Sequence, residues 1–133
     1  MSRSSSIAAP RQNLLSVVIG TRNRVSELRP CLDSLQAALL PADWGVEVII
    51  VDNGSDDNTC ELVNNFARSS DNPAFRYLYE PRQGKSYAVN TGFATARGSI
   101  IAFADDDVVV ERSWLASIVD EFRREQELGI LTG

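Results

Sequence analysis

Four short apolar runs, separated by helix-patterned segments, constrain this chain more than any other feature. Leu15–Ile19, Val46–Val51, Phe75–Tyr79 and Ser99–Ala104 are strand-sized and rich in β-branched or aromatic residues, as expected of buried strands. Between the first two, Leu28, Cys31, Leu32, Leu35 and Leu39 recur at helical steps, with Ser26 as cap and Pro30 in the first turn. Leu62, Val63, Phe66 and Ala67 mark a second helix capped by Asp57 or Asn58. Residues 84–97 run from a loop into a third helix closed by Gly98, and Trp114, Leu115, Ile118, Val119 and Phe122 share one face of a fourth after Ser113. A fifth strand is expected at Gly129–Thr132. Such alternation predicts an α/β fold, a mainly parallel sheet with helices on both faces and right-handed crossovers. Residues 1–13 read as a disordered polar tail, and 14–133 as one domain.

Composition removes several classes of chemistry. The 133 residues contain no His, which excludes Ser-His-Asp triads, Cys-His dyads and His-based metal sites. A net charge of −5 argues against a nucleic-acid backbone binder. Cys31 and Cys60 form no CxxC and fall on apolar helix faces, so both read as small core residues. Residues 1–13 do not read as a signal peptide, and no apolar run is long enough to span a bilayer. The expected location is the cytoplasm, or the cytosolic face of a membrane. Trp44 and Trp114 read as packing residues.

In open parallel sheets ligands bind beyond the carboxyl ends of the strands, where strand order reverses. Polar residues collect at just those places: Thr21-Arg22-Asn23, Asp52-Asn53-Gly54-Ser55 and Asp105-Asp106-Asp107. Two carboxylates about 4 Å apart repel by roughly 4 kcal/mol at an effective dielectric of about 20, so three together call for a cation or protonation. Mg²⁺ or Mn²⁺ satisfies carboxylates while still holding phosphate oxygens. Asp52 can accept hydrogen bonds from a nucleobase or ribose, and Gly54 permits close backbone approach. Lys85, near a helix N-terminus, can neutralise a diphosphate. Gly84-Lys85-Ser86 is no P-loop, because Tyr79 stands where that motif needs its first glycine.

Four stretches in order carry a resemblance: 16–24 (SVVIGTRNR), 48–57 (VIIVDNGSDD), 84–92 (GKSYAVNTG) and 101–107 (IAFADDD). Together they resemble the N-terminal half of family 2 glycosyltransferases, inverting enzymes with a GT-A, Rossmann-like nucleotide-binding fold. The resemblance implies that Thr21, Arg22 and Asn23 border the nucleobase and that Asp52, beside Gly54, contacts it. It also implies that Asp105 and Asp107 form the DxD motif that holds Mg²⁺ or Mn²⁺ and the donor's ribose-diphosphate. Within three consecutive aspartates Asp106 can take either role, and Lys85 lies in the segment near the donor. Gly20 departs from the proline common in relatives.

The implied partners are a nucleotide-diphosphate sugar and a saccharide, lipid or other hydroxyl acceptor, with no nucleic acid. The family's general base and acceptor site are expected beyond Gly133. The chain is therefore expected to be inactive by itself, with an uncovered sheet edge open to self-association. A non-catalytic nucleotide-sugar-binding module is the alternative. A receiver-like signalling domain would need an acidic pair after the first strand, where Gly20-Thr21-Arg22 has none.

Overall fold

The computed structural model describes residues 11–127. Their order is β1 (Arg11–Thr21), α1 (Val25–Ala37), β2 (Gly45–Asp52), α2 (Thr59–Ser69), β3 (Ala74–Tyr79), α3 (Lys85–Thr95), β4 (Gly98–Ala104) and α4 (Trp114–Glu127). The expected strand at 129–132 and residues 1–10 of the expected tail lie outside the described residues. β1 begins at Arg11 instead of Leu15, so residues 11–13 of the expected tail belong to the sheet.

All strand pairs are parallel, in the order β3-β2-β1-β4. The chain steps from β1 through β2 to β3, then crosses back to lay β4 on the far side of β1. Right-handed crossovers running in opposite directions must use opposite faces. Accordingly Leu15, Val17, Ile19, Val48 and Ile50 face the apolar stripes of α1, α2 and α4, whereas Val18, Ile49 and Val51 face Ala88 of α3. Burial on both faces explains why β1 and β2 read as continuous apolar runs. α3 lies close against the sheet because of Gly92: a Cβ there would sit 2.3 Å from Val18 Cγ1.

Local details depart from the sequence reading. α1 starts at Val25, so Ser26 lies inside the helix and Pro30 sits in its second turn. The orphan Val25 N–H donates instead to Asp57 Oδ2 at 3.2 Å, a cap supplied by the next βα loop. Asp57 Oδ1 meanwhile accepts the Thr59 N–H and hydroxyl at the start of α2. Leu39 lies beyond α1 and is exposed, as is Cys60; Cys31 is buried. Burial, followed by the charges of Asp106 and Asp107, pushes the Cys31 thiol up to about 11, which keeps it inert. Gly98 opens β4 and closes no helix. β4 is an edge strand among the described residues, and its expected burial is only partial, with Phe103 half exposed.

A buried polar clasp ties the strands together at their amino ends. Glu47 of β2, on the α3 face, is 4% exposed. It accepts the Ser16 hydroxyl (2.6 Å), the Arg97 N–H (2.8 Å) and Arg76 Nη1 (2.9 Å). Ser16 Oγ in turn accepts the Gly98 N–H at 2.9 Å. Burial opposes ionisation, but these donors outweigh it and hold the carboxyl below the usual range.

Candidate donor-binding site

The reversal of strand order falls between β1 and β4, and their carboxyl ends open into a cleft of about 650 Å³. Gly20, Thr21 and Arg22 enter it from β1, Ala104–Asp107 from β4, and Lys85, Ala88 and Val89 from α3. Arg24 and Asn53 complete the polar wall; Val18 and Phe103 make an apolar one. Crossover topology thus unites segments more than 80 residues apart, such as Thr21 and Asp106.

The three aspartates are not equivalent. Asp106 is 8% exposed and accepts the Thr21 hydroxyl at 2.8 Å and Arg24 Nε at 3.1 Å to each oxygen. Asp107 is exposed and paired with Arg24 Nη2 at 3.3 Å; Asp105, also exposed, faces Lys85 Nζ at 3.3 Å. Arg24 and Lys85 therefore supply countercharge to all three carboxylates, which the sequence reading left to a cation, with Mg²⁺ or Mn²⁺ in view, or to protonation. Among the described residues no three acidic or thiol groups converge as a ready metal cage. Two exposed carboxylates beside phosphate oxygens and water are nonetheless a fitting donor set for Mg²⁺ or Mn²⁺.

Other sequence-expected residues take different places. Asp52 is 2% exposed and does not line the cleft: Oδ1 accepts the Ser55 N–H at 2.9 Å and Oδ2 the Tyr77 hydroxyl at 2.6 Å. Burial, then this bond to Asp52, pushes the Tyr77 phenol upward, so it stays a donor. Asn23, at φ 53°, donates its N–H to Ser55 Oγ and accepts the Asp56 N–H, clamping two loops. Gly54 adopts φ 93°, which glycine tolerates without strain. Arg22 reaches across to Gln83 Oε1 at 3.1 Å.

Sequence reasoning missed Arg24, Asn53 and Glu80. Asn53 donates to the carbonyls of Glu80 and Arg82 and accepts the Gly84 N–H, fastening the loop that leads to Lys85. Glu80 is held by the Arg82 side chain, the Thr91 hydroxyl and the Arg82 N–H, which lower its carboxyl to about 2 from 4.5. The signal available was an Asn beside Gly54 and a lone acid after β3, neither distinctive by itself. A depressed carboxylate stabilises the fold fully above its unfolded value and loses that contribution as pH falls through its folded value. The thermal midpoint is therefore expected to fall between pH 4.5 and about 2, and Glu80→Gln to flatten that part of the profile. An unchanged slope in the variant would remove Glu80 from the acid response.

Among the described residues no helix is long and apolar enough to cross a membrane. The family model described as glycosyl transferase family 2 matches residues 16–132. The chain is 36% identical over 102 residues to the glycosyltransferase AglE of Haloferax volcanii, covering 76% of this chain and 33% of AglE. It is 27% identical over 120 residues to the poly-beta-1,6-N-acetyl-D-glucosamine synthase of Staphylococcus epidermidis, covering 90% and 28% respectively. The mannosyltransferase PcManGT of Pyrobaculum calidifontis, solved with GDP-Man and Mn²⁺, superposes with a TM-score of 0.72 at 28% identity, over 88% of this chain and 35% of that one. TarS 1-349 of S. aureus superposes at 0.74 with 22% identity, over 84% and 33%, a likeness of fold. The chain thus spans about a third of the length of the relatives it matches.

Proposed function

The chain belongs to glycosyltransferase family 2, and on that basis we propose that it forms the donor-binding part of an inverting, metal-dependent sugar transferase. The observation that carries this reading is that two exposed carboxylates, Asp105 and Asp107, line one cleft together with Lys85 on the first turn of α3, which pairs with Asp105. A nucleoside diphosphate needs both: cationic and N–H donors for its phosphates, and anionic ligands for its accompanying cation. Asp105 and Asp107, the DxD pair, would hold Mg²⁺ or Mn²⁺, which when bound offsets charge on the departing diphosphate. The PcManGT complex with GDP-Man and Mn²⁺ supports a nucleotide sugar and a divalent cation as the bound pair.

The chain's own residues bind and orient. Lys85 and the N-terminus of α3 attract the diphosphate, Thr21 and Arg22 border the nucleoside, and Asn53 keeps the Lys85 loop in place. Asp52, Asn23 and Gly54 shape the wall behind the nucleoside end. A base from another part of the whole protein takes the proton of the acceptor hydroxyl on the opposite face of the sugar, so a single in-line displacement inverts the anomeric carbon as the nucleoside diphosphate departs. The acceptor is a saccharide, lipid or other hydroxyl compound, and the site works in the cytoplasm or at its membrane face.

Calorimetric titration of UDP and GDP with Mn²⁺, Mg²⁺ or EDTA tests the proposal. One nucleotide should bind at least tenfold more tightly with the metal, and Asp107→Asn should remove that gain. Equal affinity in metal and EDTA would sink it. Metal-linked binding by a full-length protein that transfers no sugar would favour the binding module instead.

A further inference from the structure

Arg24 is the cation on which the aspartate triplet turns. It stands at the N-cap position of α1, beside the reversal of strand order, and spans two of the three carboxylates. Its Nε meets both oxygens of Asp106 at 3.1 Å, while Nη2 reaches Asp107 at 3.3 Å. Thr21 closes the far side of Asp106 at 2.8 Å. Asp106 is thereby drawn inward, while Asp105 and Asp107, in the turn after β4 that the Val108 N–H closes on the Asp105 carbonyl at 3.4 Å, are exposed at the cleft.

We propose that Arg24 is a positioning residue: through Asp106 it sets the aim of Asp105 and Asp107, so that the middle aspartate is a tether and the outer two face the ligand. This rests on the donor-site reading above and deepens it by separating the three roles. One guanidinium that shares its Nε–H between both oxygens of Asp106 and gives Nη2 to Asp107 fixes the two carboxylates in a geometry that a lysine point charge does not reproduce. Groups that orient metal ligands typically matter about 10–100-fold in metal affinity.

The test is a double-mutant cycle on the nucleotide preferred by the unmodified protein, with affinities measured in Mn²⁺ and in EDTA. Arg24→Ala and Asp106→Ala should each lower the Mn²⁺-dependent gain in affinity about tenfold, and the double variant should lose about tenfold in total rather than about a hundredfold. Affinity in EDTA should hold, and Arg24→Lys should restore only part of the gain. If the losses multiply, or if EDTA affinity drops by the same factor, Arg24 touches the phosphates directly and the assignment is overturned. If Arg24→Ala does not fold, the Arg24→Lys and Asp106→Asn pair is read by the same criteria. No metal-linked binding in the unmodified protein would overturn the donor-site reading, and this assignment with it.

Discussion

Glu47→Ala is expected to destabilise the fold by about 3–5 kcal/mol, the usual cost of removing one member of a buried ion pair. Three donors converge on that carboxylate: the Ser16 hydroxyl, the Arg97 N–H and the Arg76 guanidinium. Truncation leaves all three unpaired in a place where Glu47 itself is 4% exposed. It also releases Ser16, whose oxygen accepts the first N–H of β4. The clasp joins β1, β2, β3 and the entry to β4, so its loss loosens strand register as well as energy. Urea denaturation checks it, with Glu47→Gln as the companion: the amide still accepts from Arg76 and should recover part of the loss. A cost under about 1 kcal/mol would place Glu47 among surface ion pairs.

Asp52→Ala is expected to cost about 2–4 kcal/mol, because the Ser55 N–H and the Tyr77 hydroxyl each lose a partner and an unmet buried donor costs about 1–3 kcal/mol. The same change should weaken whole-nucleotide binding while sparing inorganic diphosphate. Asp52 shapes the loop behind the nucleoside end, whereas the phosphates are assigned to Lys85 and α3. Paired titrations of nucleoside diphosphate and inorganic diphosphate, with thermal unfolding alongside, separate the two effects. Equal losses for both ligands would move Asp52's influence to the phosphate side.

Element types were legible because their signals are local. Val46–Val51 carries its β-branched run, and Leu62, Val63 and Phe66 their helical stripe, within one element each. Boundaries were less so: the start of α1 depends on Asp57, 32 residues away, which no window around Val25 contains. Cys60 shows a similar gap, since a position on a helix predicts a face but not how far a neighbour extends to cover it.

Fold class, family resemblance and the three polar segments that follow β1, β2 and β4 were readable from local pattern alone. Hydrophobic period and strand-end chemistry are properties of neighbouring residues, so they survive without coordinates. Which of those residues meet is a property of the packed chain. The return of the chain across the sheet brings β4 beside β1, and that single crossover sets Arg24 and Thr21 against Asp106. The β2–β3 pairing likewise sets the Tyr77 hydroxyl against buried Asp52, and the assembled sheet makes Glu47 the partner of residues from three other segments. Pairings of this kind depend on distance in space, and a one-dimensional pattern contains no term for it.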